Sequence, residues 1–406
     1  LAMNSSARIY FASACALWCA AYLQIGATAA LENIPAPSPL TNEELAAGWI
    51  SLFDGESLYG WQPGSKADWK VEDGAIVVTS GEQGILATTP KFSDFELKLE
   101  FRAPRNSNSG FLRTPLEPKD PTKDCYEVNI AHRDNPFPSG SLVGRKKGDP
   151  LDEKESDEKN GWRSIAIIAD GGRFRASLDG REILDYTDEH PLRRGKIGLQ
   201  RNEGPVAFRN IKLRPLGMKV IFNGKDLSGW KTDLARASKL SVSERGELTL
   251  KNGPGQIESE GRYGDFVLQL ELFSNGRGLN SGVFFRSMPG LYQQGYESQI
   301  QNGFKGDDRN QPTDAGTGGI YRRQIARRVM ADDFTWFPKT IVADGPHMAV
   351  WVNGVQVSDW IDERPPDENP RQGLRLKAGT IILQGHDPTT DLRFRNLRIV
   401  EMPSRL

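Results

Sequence analysis

Between residues 93 and 102 the chain reads SDFELKLEFR, in which Phe95, Leu97, Leu99 and Phe101 alternate with Glu96, Lys98 and Glu100. Successive side chains of a strand point to opposite faces, so a period of two predicts a strand with one core face and one wet face. GDFVLQLELF, at 264–273, repeats the pattern. Asp179-Gly180 in FRASLDGREIL and Asn353-Gly354 in MAVWVNGVQVS each separate two apolar runs. Such dipeptides accept the positive φ angles of a two-residue hairpin turn, so both sites predict hairpins. Many short runs of this kind, punctuated by turns and almost without helical periodicity after residue 50, predict an all-β chain of sandwich type. Aperiodic, charged stretches at 114–124, 133–160 and 303–340 predict long loops.

The pattern occurs twice. LFDGESLYGW (52–61) is echoed by IFNGKDLSGW (221–230), SDFELKLEFR by GDFVLQLELF, NSGFLR (108–113) by NSGVFFR (280–286), and CYEVNI (125–130) by GYESQI (295–300). SLDGREILDY, KIGLQRN and FRNIKL are echoed by WVNGVQVSDW, TIILQGH and FRNLRI. Seven blocks in one order, about 170–186 residues apart, predict two domain-sized copies rather than a solenoid. The copies are set at 46–216 and 217–406, with 30–45 as a linker whose TNEELAAG has capping-box character.

Composition narrows the classes. A chain of 406 residues exceeds one ordinary core, which agrees with two domains. Net charge is −1, with acids and bases interspersed, so neither a nucleic-acid-binding stripe nor an acidic tail is expected. Arg8 followed by IYFASACALWCAAYLQIGATAA reads as an n-region, an h-region and a small-residue cleavage signal. Residues 1–29 are therefore expected to be a secretory signal peptide, with a membrane anchor as the alternative, and the mature protein to be exported with no membrane span. Two of the three cysteines fall in that segment, and Cys125 reads as a buried structural residue. HExxH, CxxC pairs, GxSxG and phosphate-binding loops do not occur. With four histidines in all, no multi-histidine metal site is expected and no cofactor is predicted, although a divalent metal on His386, Glu297 and water stays open. GDDRNQPTD (306–314) carries oxygen ligands but lacks EF-hand spacing and reads as a solvated loop.

Taken together, the ordered blocks resemble the 3-keto-disaccharide hydrolase family, a bacterial family whose pattern combines LFNGKDLSGW, DFELxLEFR, NSGxFLR, GYExQI, a TGxxY loop, an NG hairpin, LQxH and a closing FRNIxI. The second copy carries nearly all of it, including TGGIY (317–321) and LQGH (383–386); the first carries LFDGESLYGW, NSGFLR, YEVNI, LDG, LQRN and FRNI. The resemblance implies two tandem concanavalin A-like jelly-roll β-sandwich domains, export, and action on a carbohydrate substrate oxidised to a ketone at carbon 3.

Within GYESQIQNG (295–303), Tyr296, Ser298 and Ile300 share one face, and Glu297, Gln299 and Gln301 the other. In IILQGH, Gln384 and His386 have the same i, i+2 spacing, and in NSGVFFR the alternation puts Arg286 on the face of Gly282 and Phe284. If these strands neighbour one another, Glu297, Gln299, Gln384, His386 and Arg286 form one polar floor suited to sugar hydroxyls. Glu297 and His386 are the expected acid–base pair, with Arg286 stabilising an enolate. Tyr321 and Trp336 are candidates for stacking on a sugar. The first copy offers Glu127 and Arg113 for binding but has Asn202 where the second has His386, so it is expected to be a degenerate partner. The alternative reading is a non-catalytic, lectin-like module.

Overall fold

The computed structural model describes residues 38–114, 121–149, 161–232 and 236–403. The expected signal peptide, Cys15, Cys19 and the first part of the linker lie outside the described residues. Among the described residues, no helix is long and apolar enough to cross a membrane.

Each copy is a β-sandwich, and the two have the same topology. In the first, an eight-stranded antiparallel sheet faces a five-stranded one, the latter ordered Trp61–Pro63, Gly84–Phe92, Gly195–Arg201, Ser109–Thr114, Tyr126–Ile130. The second repeats this, its five-stranded sheet running Trp230–Thr232, Gly255–Ser259, Thr380–Gly385, Ser281–Ser287, Tyr296–Ile300. This is the concanavalin A-like jelly-roll architecture. The alternating strand behaves as its pattern requires: Phe95, Leu97, Leu99 and Phe101 are in the core, and Phe266, Leu268, Leu270 and Leu272 do the same in the second sandwich. At both predicted hairpins the two turn residues have positive φ, 51° and 84° at Asp179-Gly180, 48° and 74° at Asn353-Gly354. That conformation matches the right-handed twist of the flanking strands.

Before the first strand, Thr41 caps the helix Asn42–Ala47 in the expected capping box: its side chain accepts from the Glu44 amide, and Glu44 reaches back to the Thr41 amide. The long loop expected at 303–340 is broken up. It contains the hairpin Phe304–Lys305/Asp308–Pro312, and from Trp336 it is already the strand Trp336–Asp344. A short helix, Pro121–Asp124, falls within the first expected loop.

The two sandwiches share apolar surface. Val267, Val342, Ala349 and Trp351, on the outer face of the second large sheet, join the core cluster of the first sandwich. Phe92 and Trp351 meet with ring centroids 6.4 Å apart, and Trp351 Nε1 donates to the Ser51 carbonyl at 2.9 Å. That packing leaves the second five-stranded sheet, on the far side of its own sandwich, free to carry a site.

Candidate active site

The five-stranded sheet of the second sandwich brings four segments together in register. Gly282 lies opposite Gln299 and Phe284 opposite Glu297. Phe284 also lies opposite Ile382, and Gln384 opposite Gln256. The odd-numbered neighbours Val283, Phe285 and Leu383 belong to the core, so Glu297, Gln299, Phe284, Gln384 and Gln256 share the opposite face. On the Tyr296–Ile300 strand, Tyr296 and Ile300 themselves are in the core, as their parity requires.

Glu297 is the centre of this face and is only 5% exposed. Its side chain lies across Gly282: a Cβ built there would stand 2.6 Å from Glu297 Oε1 and 2.7 Å from Cγ. Glycine at 282 therefore gives the carboxylate its place, between Gln299 and the Gln384 strand. Arg371, from the segment before the Thr380–Gly385 strand, donates to Glu297 Oε2 at 2.8 Å and lies over the rings of Phe284 (4.9 Å) and Tyr321 (5.5 Å). The Tyr321 amide donates to the Glu297 carbonyl at 2.9 Å, which anchors the TGGIY loop beside the carboxylate. Glu297, Tyr321, Arg322, Arg323 and Arg371 line a cavity of about 160 Å³. A larger cavity of about 690 Å³ opens among Phe101, Ile130 and His132 of the first sandwich, and it contains none of the candidate site residues.

Burial is the largest influence on Glu297 and pushes its carboxyl above the usual carboxylate range, against the opposing pull of Arg371, His386 and Lys339. Lys339 is fully buried beneath the strand, where its ammonium donates to the carbonyls of Ser298 (2.9 Å) and Gln299 (2.8 Å). Burial pulls it down to about 7, and the charge of Glu297 resists that fall. His386 follows the end of the Thr380–Gly385 strand and is exposed. Its Nδ1 lies 2.8 Å from Asp387 Oδ2, which leaves Nε2 for a substrate. Gln384 and Gln299 are 3% and 0% exposed, and each keeps a buried Oε1 without a hydrogen-bond partner among the described residues. Gln299 is roofed over, its amide donating to Asn280 Oδ1 at 2.7 Å.

Three expected binding residues lie elsewhere. The ladder between Ser281–Ser287 and Thr380–Gly385 shifts register after Phe284, and Arg286 has φ +47°. This bulge breaks the alternation and turns Arg286 inward. There it is fully buried, paired with Asp265 at 2.9 Å and donating to the carbonyls of Gly264 (2.9 Å) and Gly345 (2.5 Å). Arg113 is its counterpart in the first sandwich, 4% exposed, donating to the Arg193 carbonyl and lying over Phe95. Trp336 belongs to the outer face of the large sheet, packed on Phe273 and Arg395. Arg371, Gln256 and Glu258 were missed. Glu258 Oε1 accepts from Thr380 Oγ1 (2.7 Å) and the Gly290 amide (3.1 Å), and Gln256 Oε1 accepts from the Gln293 amide (2.9 Å), so the two hold the 288–295 loop against the sheet. GQIES has the same polar i, i+2 spacing as YESQ and was legible on that ground.

In the first sandwich, Glu127 lies over Gly110 in the same manner. Burial pushes it up to about 7, and the Gln200 side-chain amide opposes this. A carboxyl raised on folding contributes full stability below its unfolded value of 4.5 and loses it as pH rises through about 7. At about 1.4 kcal/mol per tenfold change, the loss is at most about 3 kcal/mol. Urea unfolding at pH 5 and pH 8 is expected to show this decline in the parent and not in Glu127→Gln.

Comparison with known proteins gives consistent results. The 3-keto-alpha-glucoside-1,2-lyase-like domain model matches residues 48–214 and again 217–400. A 3-keto-disaccharide hydrolase of Bacteroides thetaiotaomicron is 25% identical over 233 residues, 42% of this chain and 79% of the relative. Among solved structures, a candidate glycosyl hydrolase from Parabacteroides distasonis shows 22% identity and a TM-score of 0.39, covering 44% of this chain and 98% of its own. A Bacillus licheniformis beta-glucanase shows 15% identity and a TM-score of 0.32, covering 46% and 99%.

Proposed function

The chain belongs to the 3-keto-alpha-glucoside-1,2-lyase-like family, and on that premise we propose that its second sandwich cleaves 3-keto-glycosides by elimination followed by hydration. The carrying observation is the Glu297 carboxylate, buried on the sheet floor over Gly282, tied to Arg371 and within electrostatic reach of His386. A ketone at carbon 3 acidifies the proton on carbon 2, and Glu297 takes it. The electron pair passes into the enolate, whose oxygen is stabilised by the Arg371 guanidinium, the cation of this site in place of Arg286. Collapse of the enolate forms the carbon 1–carbon 2 double bond and expels the group on carbon 1, whose oxygen takes a proton from His386. Water then adds across the double bond, so the net reaction is hydrolysis. The Gln384 amide oxygen, which has no hydrogen-bond partner among the described residues, and the ring of Tyr321 would bind the sugar, while Gln299 is roofed over and out of its reach. The chelator arm of the test addresses a divalent metal on His386, Glu297 and water; among the described residues no group of three or more His, Cys, Asp or Glu side chains converges.

The test is incubation of the purified protein with 3-keto-trehalose and with 3-keto-glucosides, with and without chelator. Mass spectrometry is expected to detect the free keto sugar and a transient unsaturated intermediate. Saturable binding without product would overturn the reading in favour of the lectin-like one. His386→Ala is expected to cost about 10²–10⁴-fold with alkyl aglycones, which need a proton to leave. With a nitrophenyl aglycone, which does not, the loss should stay within about tenfold. Equal losses on both would remove His386 from the acid role.

A further inference from the structure

The five-stranded sheet of the first sandwich repeats the floor of the second but, among the described residues, without its cation and its imidazole. Gly110 pairs with Asn129 as Gly282 pairs with Gln299. Gln200 lies opposite Ile85 as Gln384 lies opposite Gln256. A Cβ at Gly110 would stand 2.8 Å from Glu127 Cγ, and one at Gly282 stands 2.7 Å from Glu297 Cγ, so both glutamates are cradled by a glycine. The Val143 amide donates to the Glu127 carbonyl at 2.9 Å, which places Val143 where the second sandwich has Tyr321. Asn202 stands for His386 in the aligned LQRN and LQGH blocks. Among the described residues no ion pair reaches Glu127, so this floor has neither the cation nor the imidazole that elimination needs.

What is kept is more informative than what is lost. Where the second sandwich carries Gln256 and Glu258, the first has Ile85 and Ala87, which pack with Cys125 into a small apolar cluster. The face has thus become apolar where its polar groups held a loop. It remains polar at Glu127, Asn129 and Gln200. Asn129 is 3% exposed, and its Oδ1, like the Oε1 of Gln200, is buried without a hydrogen-bond partner among the described residues. Leaving such acceptors unpaired costs about 1–3 kcal/mol each, which a purely structural face would avoid by apolar replacement. Two acceptors beside a carboxyl with no counter-charge fit the vicinal hydroxyls of an uncharged sugar better than any ion.

We propose that this face of the first sandwich is a non-catalytic binding site for a neutral mono- or disaccharide, held by Gln200, Asn129 and Glu127. It stands independently of the chemistry assigned to the second sandwich, and unoxidised sugars keep the two tests separate.

The experiment is calorimetric titration of cellobiose and trehalose into the full chain carrying Glu297→Gln. One saturable site per chain is expected, with a Kd of about 1–10 mM. Adding Gln200→Ala, or Glu127→Ala, should weaken it about tenfold, the worth of one hydrogen bond of about 1.4 kcal/mol. Glu127→Gln keeps a neutral planar hydrogen-bonding group and should bind within about threefold of the parent. If Glu127→Ala fails to fold, Gln200→Ala decides. The proposal is overturned if neither sugar saturates by about 50 mM, or if binding is unchanged by Gln200→Ala and lost on Arg371→Ala, which would put the sugar in the second sandwich.

Discussion

Arg286→Ala is expected to destabilise the protein by about 3–5 kcal/mol, the usual consequence of removing one partner from a buried ion pair. The guanidinium is fully buried, and its donors satisfy the Asp265 carboxylate and the carbonyls of Gly264 and Gly345. Alanine would leave those carbonyls without that donor and open a cavity of arginine size. Asp265 would keep Arg194, at 2.9 Å, and the Gly345 amide, at 2.8 Å, so its charge is not stranded and the loss belongs at the lower end of that range. For a unit of this size, about 3 kcal/mol corresponds to a fall in Tm of roughly 6–12 °C. Calorimetry would measure it. In the fraction that folds, KM should match the parent, because the side chain faces away from the floor. A KM raised many-fold at unchanged Tm would return Arg286 to the substrate and refute its placement here.

That residue also shows where sequence reasoning stops. Alternation located the strands, the core faces of Phe95–Phe101 and Phe266–Leu272, and both hairpins, because in each of these stretches every residue advances the pleat by one step. It misplaced Arg286 because the bulge after Phe284 spends two residues on one step, and nothing in NSGVFFR announces this. The first copy, NSGFLR, is one residue shorter at this point, and that difference was the only trace of the irregularity. Arg371 was illegible for another reason. It comes from an aperiodic segment, and its approach to Glu297 depends on how the 363–376 stretch crosses the sheet, a tertiary matter that no local pattern encodes. Lys339 falls between these cases. By register it takes the place held by Ile165 in the first sandwich, facing Leu270 as Ile165 faces Leu99. A lysine at a core position of a strand was visible as an anomaly, whereas its acceptors, the carbonyls of Ser298 and Gln299, were not.

Glu297→Gln is expected to lower kcat by about 10³-fold or more while the fold is kept, since positioned proton transfer contributes about 10²–10⁴-fold. Glutamine has the shape of glutamate and can occupy the same space over Gly282, but it cannot accept the carbon 2 proton. It also removes a buried negative charge, so any loss of stability should be confined to the unpaired Arg371. The proposed base role of Glu297 predicts a matching signature in pH for the parent protein. Glu297 must be ionised to act as base, so kcat/KM should fall as pH drops through its pKa. Because burial holds that pKa above the usual carboxylate range, the acid limb should lie at higher pH than an exposed glutamate would give. Arg371 is the strongest of the groups that oppose burial, so Arg371→Ala should move the limb further up in pH. Lys339→Met should move it in the same direction by a smaller step, since Lys339 is the least of the opposing charges. Arg371→Ala should also slow the reaction above the limb, where Glu297 is ionised in both proteins, because the enolate loses its cation. A limb that stays in place while the plateau falls would assign Arg371 to the enolate alone and the limb to another group. A plateau that is unchanged would confine Arg371 to setting the charge of Glu297.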